Sequence, residues 1–224
     1  MLKELNFISI FPEIFSALSY GVIGRFIENQ HVTCRTWNPR DYASNEGGFV
    51  DDKPYGGGPG MVMQAGPLAA ALEAQNSISE SKHNDDVKSK VVMLSPTGKV
   101  LNHSILRELL EYDKLTFVCG RYEGVDQRFI DTHVDMELSI GDYVLSGGEF
   151  AALVVTDALI RLLPGCLGNS ESWQQDSFSS KLLDHEHYTR PEYFSGLKCP
   201  EVLLGGDHKK IAEWRLQQAL GKTW

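Results

Sequence analysis

The chain has 224 residues, 42% of them hydrophobic and 23% charged, with a formal net charge of −9. That length suits one large domain, or one domain with a small companion, and lets the chain bury a core of ordinary size. The composition excludes a fibrous repeat, a collagen, a wholly disordered chain and a disulfide mini-scaffold, and the acidic balance argues against a nonspecific polyanion binder.

Residues 5–11 are rich in Ile and Phe and read as a first strand. One lysine, Lys3, sits beside Glu4 with no apolar h-region behind it, so this start is not a signal peptide. Pro12 stands at a helix N1 position, which predicts a short helix over 12–20; a second follows over 21–29. Residues 31–37 are β-branched and aromatic, hence a strand. Residues 38–60 show no periodicity and end in Pro54-Tyr55-Gly56-Gly57-Gly58-Pro59-Gly60. A loop of that length in a compact domain is usually functional or disordered. Residues 66–76 are Ala- and Leu-rich and helical, whereas 77–89 are polar and read as a surface loop.

From Lys90 a regular alternation begins. Strands are predicted over 91–95, 115–119 and 134–140, and helices over 102–112, 124–132 and 148–163. Strands alternating with helices imply an α/β fold with a parallel sheet covered on both faces. The last of these helices is apolar nearly all round, which predicts burial on every side. Even so, it is too short and too charged (Asp157, Arg161) to span a bilayer. No membrane segment is expected, and the chain is assigned to the cytoplasm. Residues 164–180 are rich in Gly, Ser, Asn and Gln, the composition of a linker. The tail ends in an amphipathic helix over 208–220, with apolar residues at 211, 214, 216, 219 and 220.

Charge is uneven. From Lys181 onward seven basic residues face six acidic ones, a local balance of +1, while residues 1–180 carry −10. A nucleic-acid partner is thereby allowed if a local basic surface grips it. The four cysteines, Cys34, Cys119, Cys166 and Cys199, are separated by 85, 47 and 33 residues. That is no zinc spacing, and in the cytosol they are free, mostly buried thiols.

Three segments place glycine directly after a predicted strand: Leu94-Ser95-Pro96-Thr97-Gly98, Cys119-Gly120-Arg121-Tyr122-Glu123-Gly124, and Ile140-Gly141-Asp142-Tyr143-Val144-Leu145-Ser146-Gly147-Gly148. Ligands of parallel sheets bind beyond the carboxyl ends of strands, and glycine lets backbone approach them closely. Each glycine alone could simply make a tight turn; together they predict a cofactor pocket. None has the G-x-G-x-x-G order of a dinucleotide fold or the Lys-Ser/Thr ending of a P-loop. Asp157 and Arg161, four apart, form either a helix ion pair or a fixed cation presented to a substrate. Asp184, His185 and His187 lack the rest of a closed metal site, so they read as surface and packing residues, and no metal is expected there.

In order along the chain, residues 54–61 (PYGGGPGM), Leu94-Ser95-Pro96, 119–124 (CGRYEG), 139–149 (SIGDYVLSGGE), Asp176-Ser177-Phe178 and 187–191 (HYTRP) form one pattern, closed by Trp214 to Leu216 and Lys222-Thr223-Trp224. Over essentially all 224 residues the chain resembles the bacterial tRNA (guanine-N1) methyltransferases, which modify guanosine 37 beside the anticodon. The resemblance implies a knotted, SPOUT-like fold: a parallel sheet with a C-terminal trefoil knot, among the rare exceptions to unknotted topology. It implies S-adenosylmethionine-binding residues at Leu94, Ser95, Pro96, Gly120, Glu123, Ile140, Gly141, Asp142, Tyr143, Val144, Leu145, Gly147 and Gly148. Asp176 matches the general base for guanine N1, and Arg161 the group that stabilises charge on O6. The implied layout is a methyltransferase domain over 1–166, a flexible linker over 167–180 and a mainly helical tRNA-binding domain over 181–224. A homodimer with active sites shared between chains is implied, acting on tRNA in which guanosine 36 precedes guanosine 37. A divalent cation is left open. Members of the family usually continue past the Lys-Thr-Trp sequence, an expectation that bears on RNA affinity rather than on the cofactor pocket.

Two other readings are weighed: an RNA-binding module without catalysis, and a ribose 2′-O-methyltransferase of the same class. The first is opposed by Asp176 and Arg161 occurring together with an intact pocket. The second class lacks the DSF and HYTRP segments.

Overall fold

A computed structural model describes residues 2–29, 31–78, 87–167, 177–178 and 182–223. The chain divides into two compact units, Met1–Cys166 and Leu167–Trp224.

The first unit is built on a five-stranded, wholly parallel sheet. Its strands are β1 (Glu4–Ile8), β2 (Thr33–Trp37), β5 (Ser89–Val100), β6 (Lys114–Cys119) and β7 (Met136–Ser139), in the spatial order β2-β1-β6-β5-β7. Parallel strands need crossovers, and helices supply them. The crossovers contain α1 (Gly21–Glu28), α2 (Ala65–Ile78), α3 (His103–Leu109) and α4 (Gln127–His133), and α5 (Glu149–Arg161) follows the last strand. Successive side chains on a strand point to opposite faces, and the core divides accordingly. Leu5, Phe7, Leu115 and Phe117 join one cluster with α1, α3 and α5; Ile8, Met93 and Val118 join the other with α2 and α4. Phe7 stacks on Phe15 at 4.2 Å and on Phe117 at 5.9 Å between ring centroids. Burying each such side chain contributes about 1.5–3 kcal/mol. That burial is what fixes the strand ends in space.

The structure alters several sequence-level expectations. The short helix expected after Pro12 is present as a 3₁₀ helix, Pro12–Ser19. The long loop over 38–60 contains a 3₁₀ turn (Pro39–Tyr42) started by Asn38, whose side chain accepts from the Arg40 N–H, and a short strand β3 (Asp51–Asp52). β3 pairs antiparallel with β4 (Val62–Met63), so non-local pairing that no local pattern announces orders this loop. α5 is not buried all round. Phe150, Val154, Asp157 and Arg161 form an exposed stripe along it, because a helix lying on one sheet face hides only the side turned to that sheet.

In the second unit, β8 (Tyr193–Phe194) and β9 (Leu197–Lys198) form a hairpin that the sequence reading missed. Ser195 and Gly196 both have positive φ, 50° and 81°, as a two-residue hairpin turn requires. Two helices follow, α6 (Glu201–Leu204) and α7 (His208–Thr223). In α7 only Ala219 is buried; Ile211 and Trp214 are half-buried, and Leu216 and Leu220 are exposed. The apolar side of this helix is therefore narrower than its spacing predicts. Of the proposed linker over 167–180, only residues 167, 177 and 178 are among those described.

Candidate active site

β5, β6 and β7 lie side by side, with Leu94 opposite Cys119 on one flank and Leu138 on the other. The three glycine-bearing segments leave the sheet together at these carboxyl ends. The first is a break in register: Leu94 and Lys99 both pair with Leu138, so residues 95–98 are thrown out of the ladder. Gly98 is required there, since a Cβ would run into the backbone of Glu137 and Leu138. The bulge is tied down by Thr97, whose Oγ1 donates to Glu137 Oε2 at 3.0 Å.

The second segment turns at Gly120 and docks on the chain before α2. The Glu123 N–H donates to Met61 O and the Met63 N–H to Gly124 O, both at 2.9 Å. Tyr122 takes a left-handed backbone (φ 60°), which costs a non-glycine residue about 1–2 kcal/mol. The third segment begins with Gly141 at φ 145°. Its end returns to the second, the Gly148 N–H donating to Gly120 O at 3.0 Å. A Cβ on Gly148 would lie 2.8 Å from Cys119 Cα, so bare backbone is what permits the approach.

A buried ion pair holds these loops. Arg121 Nε donates to Glu149 Oε2 at 3.0 Å, Nη2 lies 2.9 Å from the same oxygen, and Nη1 donates to Ser146 O at 3.0 Å. Glu149 is fully buried at the start of α5 and also accepts from Ser9 Oγ at 2.7 Å. The Arg121 guanidinium stacks over Phe11 at 4.6 Å from the ring centroid. A Cβ on Gly147 would collide with that guanidinium. One arginine thus ties the second loop to the third and both to the tip of β1. Burial, with the nearby Glu149 carboxylate, pushes the Cys119 thiol well up, so this cysteine stays protonated and inert. Burial likewise raises Cys34, to about 12.

Together the loops enclose a cavity of about 270 Å³ lined by residues 93–97, 120–124, 138–141 and 143–148, with Ala151 at its base. Leu94, Ser95, Pro96, Gly120, Glu123, Ile140, Gly141, Tyr143, Val144, Leu145, Gly147 and Gly148 are all on its wall; Asp142 is in the third loop but does not line it. Its lining joins apolar residues (Leu94, Leu138, Ile140, Leu145) to glycines that leave peptide groups uncovered, a mixture typical of small-molecule sites. Arg161 is exposed at the last turn of α5. Asp176 lies outside the described residues; beside it, Ser177 Oγ accepts from the Asp184 N–H at 2.9 Å. The sequence reading gave no role to Arg121, Glu149 or Ser9. A charged residue inside each of two glycine-rich segments, CGRYEG and SGGE, was the available signal.

A parallel α/β sheet whose three adjacent strand ends close around a glycine-lined pocket has the architecture in which α/β proteins bind ligands. The family model described as tRNA (Guanine-1)-methyltransferase TrmD matches residues 3–224, and the chain belongs to that family. A Coxiella burnetii protein (strain RSA 493 / Nine Mile phase I) named tRNA (guanine-N(1)-)-methyltransferase is 51% identical over 220 residues, covering 98% of this chain and 87% of the relative. A Pseudomonas aeruginosa protein (strain LESB58) of the same name is 52% identical over 218 residues, covering 97% and 84%. Among the described residues, no helix is long and apolar enough to cross a membrane.

Proposed function

We propose that the chain transfers the methyl group of S-adenosylmethionine to N1 of guanosine 37 in tRNA, where guanosine 36 precedes it. The observation that carries this is the single cavity formed by three glycine turns at adjacent strand ends, in a member of a tRNA (guanine-1) methyltransferase family. The residues suit this cofactor: glycine at 120, 141, 147 and 148 keeps the rim bare, and a Cβ at 148 would press on Cys119. S-adenosylmethionine supplies an electrophilic methyl on a positive sulfur. The peptide groups of residues 140–145 and 95–96 would hold the adenine and ribose, with Leu138 and Leu145 as apolar neighbours in the same lining. Glu123 attracts the positively charged methionine end. The loops 94–96, 120–123 and 140–148 are read as the strands of a trefoil knot, which keeps the pocket shaped before ligand arrives.

Guanine N1 carries a proton and is a poor nucleophile until that proton leaves. Asp176 accepts it, and Arg161 stabilises the negative charge that moves to O6. General-base and charge-stabilising groups of this kind each contribute about 10²–10⁴-fold. Residues 1–166 supply the pocket and residues 181–224 the basic contacts to RNA, with residues 167–180 as the linker that carries the base. Phe150 and Val154 are exposed beside Arg161 on α5, an apolar stripe that a second copy of the chain covers in a homodimer with shared active sites. The reaction takes place in the cytoplasm. A divalent cation is left open, and titration with a chelator decides whether methyl transfer needs one. The test is methyl transfer to tRNA with guanosine 37 intact or changed to adenosine: transfer disappears with the change if this reading holds.

A further inference from the structure

We propose that Asp184, His185 and His187 form a binding site for one borderline divalent cation of the Zn²⁺, Co²⁺ and Ni²⁺ type. The proposal stands apart from the methyl-transfer reading and reverses the expectation that spacing alone suggested.

Three observations carry it. The three side chains each offer one ligand atom, and these atoms all lie within 4.8 Å of one another. His187 Nε2 is 2.9 Å from Asp184 Oδ2, and His185 Nε2 is 3.7 Å from Asp184 Oδ1, so both imidazoles use the same nitrogen against the two oxygens of one carboxylate. In a tetrahedral site with bonds of about 2.0–2.1 Å, ligand atoms stand about 3.3 Å apart. The two histidine-to-carboxylate separations, 2.9 and 3.7 Å, lie on either side of that value.

The second observation is the tautomer. His185 Nδ1 lies 2.8 Å from Glu186 O. A carbonyl only accepts, so Nδ1 carries the hydrogen and the Nε2 lone pair faces the carboxylate. Metal-binding histidines are fixed in this way by a carbonyl on the far nitrogen.

The third is support from neighbours. The Asp184 carboxylate is oriented by the His185 N–H, which donates to Oδ1 at 2.7 Å. The His185 ring is 6.4 Å from Trp214 of α7, and Tyr188 meets the same indole edge-on at 6.1 Å. Tyr188 in turn donates to Glu186 Oε2 at 2.8 Å. The segment is therefore held against a helix by aromatic contacts before any cation arrives. His187 is exposed, which gives solvent access.

Two imidazoles and one carboxylate suit Zn²⁺, Co²⁺ and Ni²⁺; Mg²⁺ and Ca²⁺ prefer all-oxygen sets. Three protein ligands leave a further position for water.

The test is a calorimetric titration of the full chain with Zn²⁺ alone, after a chelator wash, in buffer free of phosphate. One Zn²⁺ per chain is expected. Affinity should fall at least tenfold in His187→Gln, in His185→Gln and in Asp184→Asn, and stay unchanged in His103→Gln, which lies outside the cluster. The exposed His187 ring makes His187→Gln safe for folding, and circular dichroism checks each variant. With Co²⁺ as probe, the visible absorption of a tetrahedral site should appear in the parent chain and vanish in His187→Gln. Excess Mg²⁺ should not displace Zn²⁺. The proposal is overturned by the absence of saturable Zn²⁺ binding, by unchanged affinity in His187→Gln, or by displacement by Mg²⁺.

Discussion

The cofactor end of the first unit and the chain of the second are built on opposite principles. Around the cavity, the polar groups that fix the loops are buried and paired: Glu149 is fully enclosed and meets Arg121 and Ser9. In the second unit, Ala219 is the only buried residue among those described, and its lysine ion pairs, Lys198 with Glu201 and Lys210 with Asp207, are largely exposed. Surface pairs of that kind contribute about 0–1 kcal/mol. A pocket held by buried pairs is thus joined in one chain to a unit that, on the proposed reading, grips RNA through exposed charge. Damage to the first should appear as lost stability or lost cofactor affinity; damage to the second should leave both intact and appear only with RNA.

The largest expected effect separates chemistry from binding. Asp176→Ala and Arg161→Ala should each lower single-turnover methyl transfer by about 10²–10⁴-fold, while calorimetry finds cofactor affinity unchanged. Cofactor binding lost together with transfer would assign these residues to the pocket instead.

Next in size is Arg121→Ala, which leaves the Glu149 carboxylate buried without its cation. Breaking a buried pair from one side costs about 3–5 kcal/mol, so urea unfolding should shift by that amount and cofactor affinity should drop. Adding Glu149→Gln should recover part of the loss, because the neutral amide needs no cation. An unchanged midpoint would mean that the pair does not hold the loops.

The second unit sharpens the contrast. Lys209→Ala and Lys210→Ala should weaken tRNA binding across sequences and lower the salt slope by about one per lost phosphate contact, with the unfolding midpoint unmoved. Binding insensitive to salt would remove this unit from the RNA interface.

The smallest effect tests a cap in the first unit. The Asp126 side chain accepts from the Arg128 N–H at the start of α4. Its hydrogen bonds to the Arg128 side chain and backbone lower the Asp126 carboxyl from 3.8 to about 2. Its folded-state pKa is depressed, so the stability it contributes is full above 3.8 and is lost as pH falls toward 2. Asp126→Ala should cost about 1 kcal/mol at neutral pH and nearly nothing at the acid end. A difference that persists in acid would place the effect outside the carboxylate.

Much of this arrangement was legible from residues alone. The alternation after Lys90 gave β5, β6, β7 and their helices because each element carries its own period, and glycine after each strand marked the turns that gather at the cavity. Short-range pattern could not show β3 pairing with β4, nor Ser195-Gly196 closing a hairpin, because two-residue strands have no period to read. It also could not show the exposed stripe at Phe150 and Val154: an apolar residue looks the same whether a sheet, a second chain or water faces it. Arg121 and Glu149 are 28 positions apart, and only the fold makes them partners. Asp184, His185 and His187 were visible as a string, but their convergence depends on backbone turns and on the Trp214 contact.

The central claim is that this pocket serves methylation of guanine N1 at position 37. The direct measurement is transfer of labelled methyl from S-adenosylmethionine to unmodified tRNA carrying guanosines at 36 and 37, beside the same tRNA with adenosine at 37. The account predicts one methyl per tRNA, recovered as 1-methylguanosine, and none in the control. Equal labelling of both RNAs, or label recovered on ribose, would contradict it.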